Sequence, residues 1–188
     1  MNNLASTCKY CKFLEFDRHE DSSTFLWDTK YTAVFLNPHR SPHLGRTAVM
    51  TKLHITRYSD LNWNQEAKDD FLHEIDVTKE VLKLALNAID TKDFRINSLD
   101  GHMNFDVIPA YKDGIAYFAG ETFKNPDHDN GVHIRSYSNA EYLPKDTVKT
   151  IVHIMQTKII EAEAILAERQ ERLEELINFF TPNIPKKT

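Results

Sequence analysis

Hydrophobic and polar residues alternate most regularly between residues 102 and 111. Polar side chains stand at His102, Asn104 and Asp106, with apolar residues between them. A period of two predicts a β-strand, on which alternate side chains share one face. Pro109 cannot donate to a sheet ladder, so it indicates the end of the strand or a sheet edge. We therefore expect His102, Asn104 and Asp106 to project together from one face of a sheet.

Several other stretches have the composition of short strands. They are rich in β-branched and aromatic residues, which favour strands, and turn-forming residues separate them. Pro38 ends one such stretch, and Asp100 with Gly101 suits a tight turn into the His102 strand. The predicted strand regions are 24–38, which holds two strands around a turn at 28–30, then 45–52, 94–99, 115–118 and 132–134.

A different periodicity, close to 3.6 residues, predicts two helices. The first runs from Asn64 to Ile89, with its charged residues expected on the face away from the apolar stripe. The second covers residues 145–180, where Asp146 offers a start and Pro182 a stop. The apolar or small residues of the first helix recur at Phe71, Ile75, Thr78, Leu82, Ala85 and Ile89.

The C-terminal helix is too long for a domain of this size to cover. Residues 145–180 would extend roughly 50 Å, so only the first half is expected to lie on the sheet. The second half carries apolar residues at heptad spacing, which favours pairing with the same helix of a second chain. Arg169 on this seam would set the register or pair with a glutamate of the partner. The alternative is that the helix bends back or frays. The residues expected to need a partner are Leu166, Leu173, Leu176 and Phe180.

Composition narrows the classes of function. The chain has 188 residues, of which 41% are hydrophobic, enough for a core and typical of one domain. The net charge of −5 gives no general basic field, which argues against a nucleic-acid partner. No apolar run is long enough to span a membrane. The first twelve residues lack the apolar core of a signal peptide, so a cytoplasmic location is expected.

The two cysteines stand close together as Cys8-Lys9-Tyr10-Cys11. In a reducing compartment such a pair indicates metal or redox chemistry more often than a structural disulfide. A thioredoxin-like motif should follow a strand and open a helix, whereas no strand precedes this pair. The position therefore favours metal over redox chemistry.

The stretch His102-Met103-Asn104-Phe105-Asp106-Val107-Ile108-Pro109 resembles the signature of the histidine triad (HIT) family. Upstream, Gly45-Arg46 matches the family's Gly-His, and Thr51-Lys52-Leu53-His54 matches Pro-Lys-x-His. The resemblance runs from about Cys8 to Met155. It implies an α+β fold with a mainly antiparallel sheet of five or six strands, one packed helix and the long C-terminal helix, in a homodimer. The regions are a HIT-like domain over 1–155, the helix over 146–180 and a tail over 181–188.

The resemblance also implies a metal site. Many bacterial HIT proteins hold zinc with an N-terminal cysteine pair, the histidine after the Lys-x strand and the first histidine of the triad. The matching residues are Cys8, Cys11, His54 and His102. Two cysteines and two histidines form a closed tetrahedral set, which suits structural zinc and leaves no position for a reactive water.

The residues that the family uses for chemistry differ in this chain. HIT enzymes cleave nucleotides at an α-phosphate through attack by the central histidine, a position occupied here by Asn104. An amide nitrogen is not nucleophilic, because its lone pair is delocalised. Asp106 places a carboxylate where it would repel phosphate, and Arg46 replaces the Gly-His histidine. The short connection between 99 and 102 also lacks the family's phosphate-holding loop.

These departures predict a zinc-stabilised protein of the nucleotide-binding type that lacks the usual nucleotidyl hydrolase activity. One alternative is an active nucleotidyl or dinucleoside polyphosphate hydrolase in which Asp106 serves as base or nucleophile. Another is a protein-assembly module that acts through the C-terminal helix. A nucleotide or phosphorylated small molecule is the expected ligand, and Arg46 and Arg57 could hold its phosphate. The candidate ligand-binding residues are Asn37, Arg46, Asn97, Asn104 and Asp106.

Overall fold

The computed structural model describes residues 8–15, 22–38, 44–97, 102–112, 115–118, 121–124 and 142–180. Its centre is a five-stranded antiparallel sheet in the order β1-β2-β3-β5-β4, and β6 and β7 form a separate pair. The strands are β1 (Phe25–Asp28), β2 (Thr32–Leu36), β3 (Thr47–Thr51), β4 (Asp90–Asn97), β5 (Met103–Ala110), β6 (Ile115–Phe118) and β7 (Glu121–Lys124).

In the described parts of the chain, four α-helices and one 3₁₀ helix accompany the sheets. They are α1 (Lys9–Glu15), the 3₁₀ helix (Tyr58–Trp63), α2 (Gln65–Leu86), α3 (Lys145–Thr157) and α4 (Ile159–Phe180). Together with the sheet they confirm the predicted α+β class. None of the helices in the described ranges is long and apolar enough to cross a membrane.

Strand β5 lies in the interior of the sheet, and its side chains alternate between the two faces. It pairs with β3 on one side and with β4 on the other. Met103 and Val107 belong to the main core and Phe105 packs against it, so these side chains lie towards α2. His102, Asn104 and Asp106 lie on the opposite face, which we call the triad face.

The main core lies between the sheet and the helices. The α2 stripe predicted at Phe71, Ile75, Thr78 and Leu82 is buried, as are Ile151 and Met155 of α3. Helix α2 ends earlier than predicted, because Asn87 takes a left-handed conformation with a φ of 56°. The chain then enters β4 at Asp90, so Ile89 lies outside the helix and is exposed.

The acidic residues of α2 depart from the prediction that charge lies on its outer face. Glu74 and Glu80 are buried. Three acidic residues at four-residue spacing lie against the β1–β2 hairpin and accept hydrogen bonds from it, including one of 2.6 Å from the Trp27 indole to Glu74. Burial raises the pKa of the Glu74 carboxyl. The bonded pairs are Lys30 and Tyr31 with Glu66, Thr29 and Thr32 with Asp70, and Trp27 with Glu74.

The periodic C-terminal segment forms two helices that meet at Lys158, whereas one continuous helix was predicted. The Lys158 N–H donates to the Met155 carbonyl three residues earlier, a 3₁₀-type hydrogen bond that closes the last turn of α3. Helix α4 then packs on α2, so Leu166 is partly covered by the chain's own core. Arg169 pairs with Glu80 of α2, at 2.5 Å, where a partner's glutamate was expected. The end of α4 nevertheless stays exposed.

Most of the predicted strands are present in the structure. The strands expected in 24–38, 45–52 and 115–118 are present, and β4 and β5 are antiparallel neighbours, as a hairpin requires. Helix α1 and strand β7 were not predicted. The expected strand at 132–134 lies outside the described residues. Pro109 is the second-last residue of β5, beyond the part that pairs with β3, so it marks the strand's end as expected.

Candidate functional site

Two cysteines and two histidines meet at one edge of the triad face. The ligand atoms of Cys8, Cys11, His54 and His102 all lie within 4.8 Å of one another. Cys11 Sγ is 3.1 Å from His54 Nδ1 and 3.5 Å from His102 Nδ1, and Cys8 Sγ is 3.6 Å from the latter. Zinc–sulfur and zinc–nitrogen bonds at tetrahedral angles imply sulfur–nitrogen separations of about 3.6 Å. The cluster therefore has the chemistry and the spacing of a tetrahedral metal site.

The surrounding backbone explains how residues so far apart in sequence meet. Cys8 immediately precedes α1 and Cys11 lies within it, so one helical turn presents both sulfurs to the same side. His54 follows β3 and His102 precedes β5. The Met103 N–H donates to the Ile55 carbonyl at 2.7 Å, which holds these two chain segments together beside the cluster.

His102 is oriented as a metal-binding imidazole. Its Nδ1 faces the sulfurs, and its Nε2 lies 2.8 Å from the carbonyl oxygen of Thr51. A proton on Nε2 donated to that carbonyl leaves the lone pair of Nδ1 towards the cluster. The side chain is fully buried, and burial lowers the pKa of His102, which favours the neutral ring that a metal requires.

Asn104 and Asp106 follow His102 along the triad face, in the arrangement that their spacing predicts. Asn104 is partly buried and lies opposite Met50 of β3. Asp106 lies opposite Ala48 and is only 3% exposed. The structure thus brings the three triad positions together, with different surroundings for each.

Asp106 forms a buried ion pair with Arg46. The guanidinium of Arg46, which is 7% exposed, contacts a carboxylate oxygen of Asp106. Burial raises the pKa of Asp106 to about 7 and lowers that of Arg46 to about 10, whereas the mutual attraction of the two groups favours their charged forms. The pairing of Arg46 with Asp106 was not predicted from the sequence. Opposite charges at neighbouring strand positions were the signal that they form a pair.

The local backbone accounts for the position of Arg46. Gly45, just before it, has a φ of 81°, and an added Cβ would collide with Leu86. Only glycine therefore fits this turn comfortably. The Asn37 N–H donates to the Arg46 carbonyl at 2.7 Å, so the end of β2 lies beside the start of β3.

The other candidate ligand-binding residues are placed unequally. Asn37 is partly buried next to Arg46, which brings it to the same end of the triad face. Asn97 is the last residue of β4 and is paired in register with Met103, and its side chain lies outside the described part of the structure. Arg57 is exposed at the start of the 3₁₀ helix, and its N–H donates to Asp60.

A small apolar cluster, which the sequence analysis missed, lies on the triad face beside these polar residues. Its buried members are Leu14, Ala33, Phe35 and Met50, with Phe25 and Ala48 packed against them. Leu14 comes from α1, so the segment that carries the cysteines also covers part of the sheet. The signal for this cluster was the continuous apolar run of β2, which is typical of a strand buried on both faces.

Comparison with solved structures identifies this arrangement of strands and helices. A hypothetical histidine triad nucleotide-binding protein of Sulfolobus tokodaii, 18% identical, matches with a TM-score of 0.56 over 82% of this chain and 93% of its own. A histidine triad protein of Bradyrhizobium japonicum, 10% identical, gives 0.57 over 76% and 94%. The chain has the histidine triad fold.

A third structure with the histidine triad fold is a Zn-bound family protein of Mycobacterium smegmatis. It is 11% identical, with a TM-score of 0.51 over 86% of this chain and 99% of that one. No protein-family model matches the sequence, and no curated protein matches it. At these identities the likeness is one of fold, and the function has to be argued from the site itself.

The Arg46–Asp106 pair gives a first prediction, on stability. Asp106→Ala should lower the free energy of unfolding by about 3–5 kcal/mol, because it leaves a buried guanidinium without its counter-charge. Arg46→Met combined with Asp106→Leu should recover most of that loss, since apolar residues of similar size need no partner. Urea denaturation at constant pH measures both. If Asp106→Ala were as stable as the wild type, Arg46 and Asp106 would not form a buried ion pair.

Proposed function

We propose that the chain is a zinc-stabilised protein of the histidine triad fold that binds a nucleoside- or nucleotide-type ligand without hydrolysing it. The Cys₂His₂ cluster supports the zinc, because soft sulfur and imidazole ligands at tetrahedral spacing suit that ion. A bound zinc would supply structural cross-linking, since all four positions are protein ligands. It would hold α1 against β3 and β5.

The zinc proposal predicts about one zinc per chain by elemental analysis. Cys8→Ser or His54→Ala should remove the metal and lower the free energy of unfolding by several kcal/mol, because the binding free energy of a structural zinc contributes to folding. His153→Ala is the matched control, since His153 is exposed on α3 and outside the cluster. Metal-free protein that melts at the same temperature as the zinc-loaded form would refute a structural metal.

The proposed absence of hydrolysis rests on one observation, the composition of the triad face. The position of the family's nucleophile holds Asn104, whose amide nitrogen has no available lone pair. The positions of two further family histidines hold Arg46 and Asp106, which neutralise each other in a buried pair. An imidazole that could attack, donate a proton or receive one is thus missing from these three positions.

The second part of the proposal predicts no turnover of diadenosine polyphosphates or nucleoside phosphoramidates. Asn104→His alone should restore little activity, because the Arg46–Asp106 pair remains beside it. An active histidine triad hydrolase serves as the assay control, and chromatography of the products is the measurement. Sustained turnover that is lost in Asn104→Ala or Asp106→Ala would instead support the alternative of an enzyme with rearranged catalytic groups.

The exposed end of α4 favours an additional role in assembly, as a homodimer. Five large apolar side chains near the C-terminal end of this helix are each more than half exposed, a concentration that is costly in water. Leu166 and Arg169 are already engaged with the main body of the chain, so this surface begins beyond them. Its residues are Leu173, Leu176, Ile177, Phe179 and Phe180.

The assembly proposal predicts a dimer at micromolar concentration in sedimentation analysis. Truncation after Arg172, or Leu173→Asp with Leu176→Asp, should shift it to monomer, since each substitution puts a charge into an apolar contact. Ala164→Asp with Asn178→Asp is the matched control, because it adds the same charge to exposed positions of the same helix. A monomeric full-length chain, or a dimer that survives truncation, would exclude pairing through this surface.

A further inference from the structure

Within the described residues, the central strands of the triad face carry little positive charge. Strands β2, β3 and β5 contain no lysine or arginine, so Arg46, immediately before β3, is the described cation at the centre of this face, whereas Lys92 lies at its edge on β4, opposite Ile108. Its guanidinium is held against Asp106, and both side chains are almost completely buried. The ion pair therefore neutralises this cation within the protein.

A phosphate group placed beside Arg46 would have to compete with Asp106. Phosphate is normally bound by charge-assisted hydrogen bonds, most effectively from arginine. Drawing Arg46 towards a ligand would leave a buried carboxylate without its partner. The same carboxylate would also repel the incoming anion at short range. Both effects disfavour a charged ligand at this position.

The groups that remain suit an uncharged ligand. Asn104 is a partly buried amide, and an amide can both donate to and accept from hydroxyl groups and the edges of a heterocycle. Next to Met50, which lies opposite Asn104, the apolar cluster has two partly buried members, Ala48 and Phe25. Apolar side chains next to a few orienting polar groups are the usual composition of a site for a planar organic molecule.

We propose that the Arg46–Asp106 pair makes the triad face selective for an uncharged nucleoside over its phosphorylated form. This inference rests on the proposed binding function and specifies its ligand class. The selectivity arises from Asp106, because it occupies the guanidinium that a phosphate would need. Removing the charge of Asp106 while keeping its shape should therefore allow Arg46 to bind phosphate.

Isothermal titration of the zinc-loaded full chain with adenosine, AMP, uridine and UMP tests this selectivity. For the wild type, at least one nucleoside should bind about tenfold or more tightly than its monophosphate. In Asp106→Asn the monophosphate should gain about tenfold in affinity, and the preference should disappear or reverse. Asp76→Asn is the matched control, since it removes the same charge from an exposed position on α2 and should leave the ratio unchanged.

The outcomes separate this inference from the proposed function. If the wild type binds neither form but Asp106→Asn gains affinity for AMP or UMP, nucleoside binding is wrong and the role of Asp106 stands. If the wild type binds a monophosphate more tightly than its nucleoside, or the variant gains nothing, the selectivity is wrong while ligand binding can still hold. Should Asp106→Asn fail to fold, as judged by circular dichroism, the wild-type ratio alone decides.

Discussion

The structure depends on the meeting of Cys8 and Cys11 with His54 and His102. Cys8 and His102 are 94 residues apart in sequence, yet their ligand atoms are 3.6 Å apart. Two sulfurs and two imidazole nitrogens this close have the arrangement that the proposed zinc requires. The cluster fixes the N-terminal helix over the sheet, and this helix places Leu14 on the apolar part of the triad face.

On the proposed function, the same face keeps its frame while its chemistry differs from that of histidine triad enzymes. His102 belongs to the metal cluster and to the triad at once, so the frame of the face depends on it. Asn104 and Asp106 are not part of the metal cluster, and Asp106 forms a buried ion pair with Arg46. A buried pair is costly to break and offers no net charge to a ligand. The proposed loss of hydrolysis and the proposed selectivity therefore have one physical origin.

The sequence predicted the elements whose signal is local. Alternation from 102 to 106 identified β5 and the shared face of its polar residues, and the spacing of Phe71, Ile75 and Leu82 identified α2. Contacts between distant segments were harder to predict. No proline or glycine near Lys158 predicts the break between α3 and α4. The packing of α4 on α2 and the ion pair of Arg169 with Glu80 both depend on tertiary contacts. The burial of Glu74 likewise depends on the Trp27 indole from another element.

We propose that a zinc ion fixes the frame of the triad face, and that an internal ion pair occupies two positions that hold histidines in histidine triad enzymes. A crystal structure with anomalous scattering recorded on both sides of the zinc absorption edge tests it most directly. The account predicts one zinc peak within bonding distance of Cys8 Sγ, Cys11 Sγ, His54 Nδ1 and His102 Nδ1, with Arg46 against Asp106 in the same map. A Cys8–Cys11 disulfide without a peak, or Arg46 turned from Asp106 towards a bound anion, would contradict it.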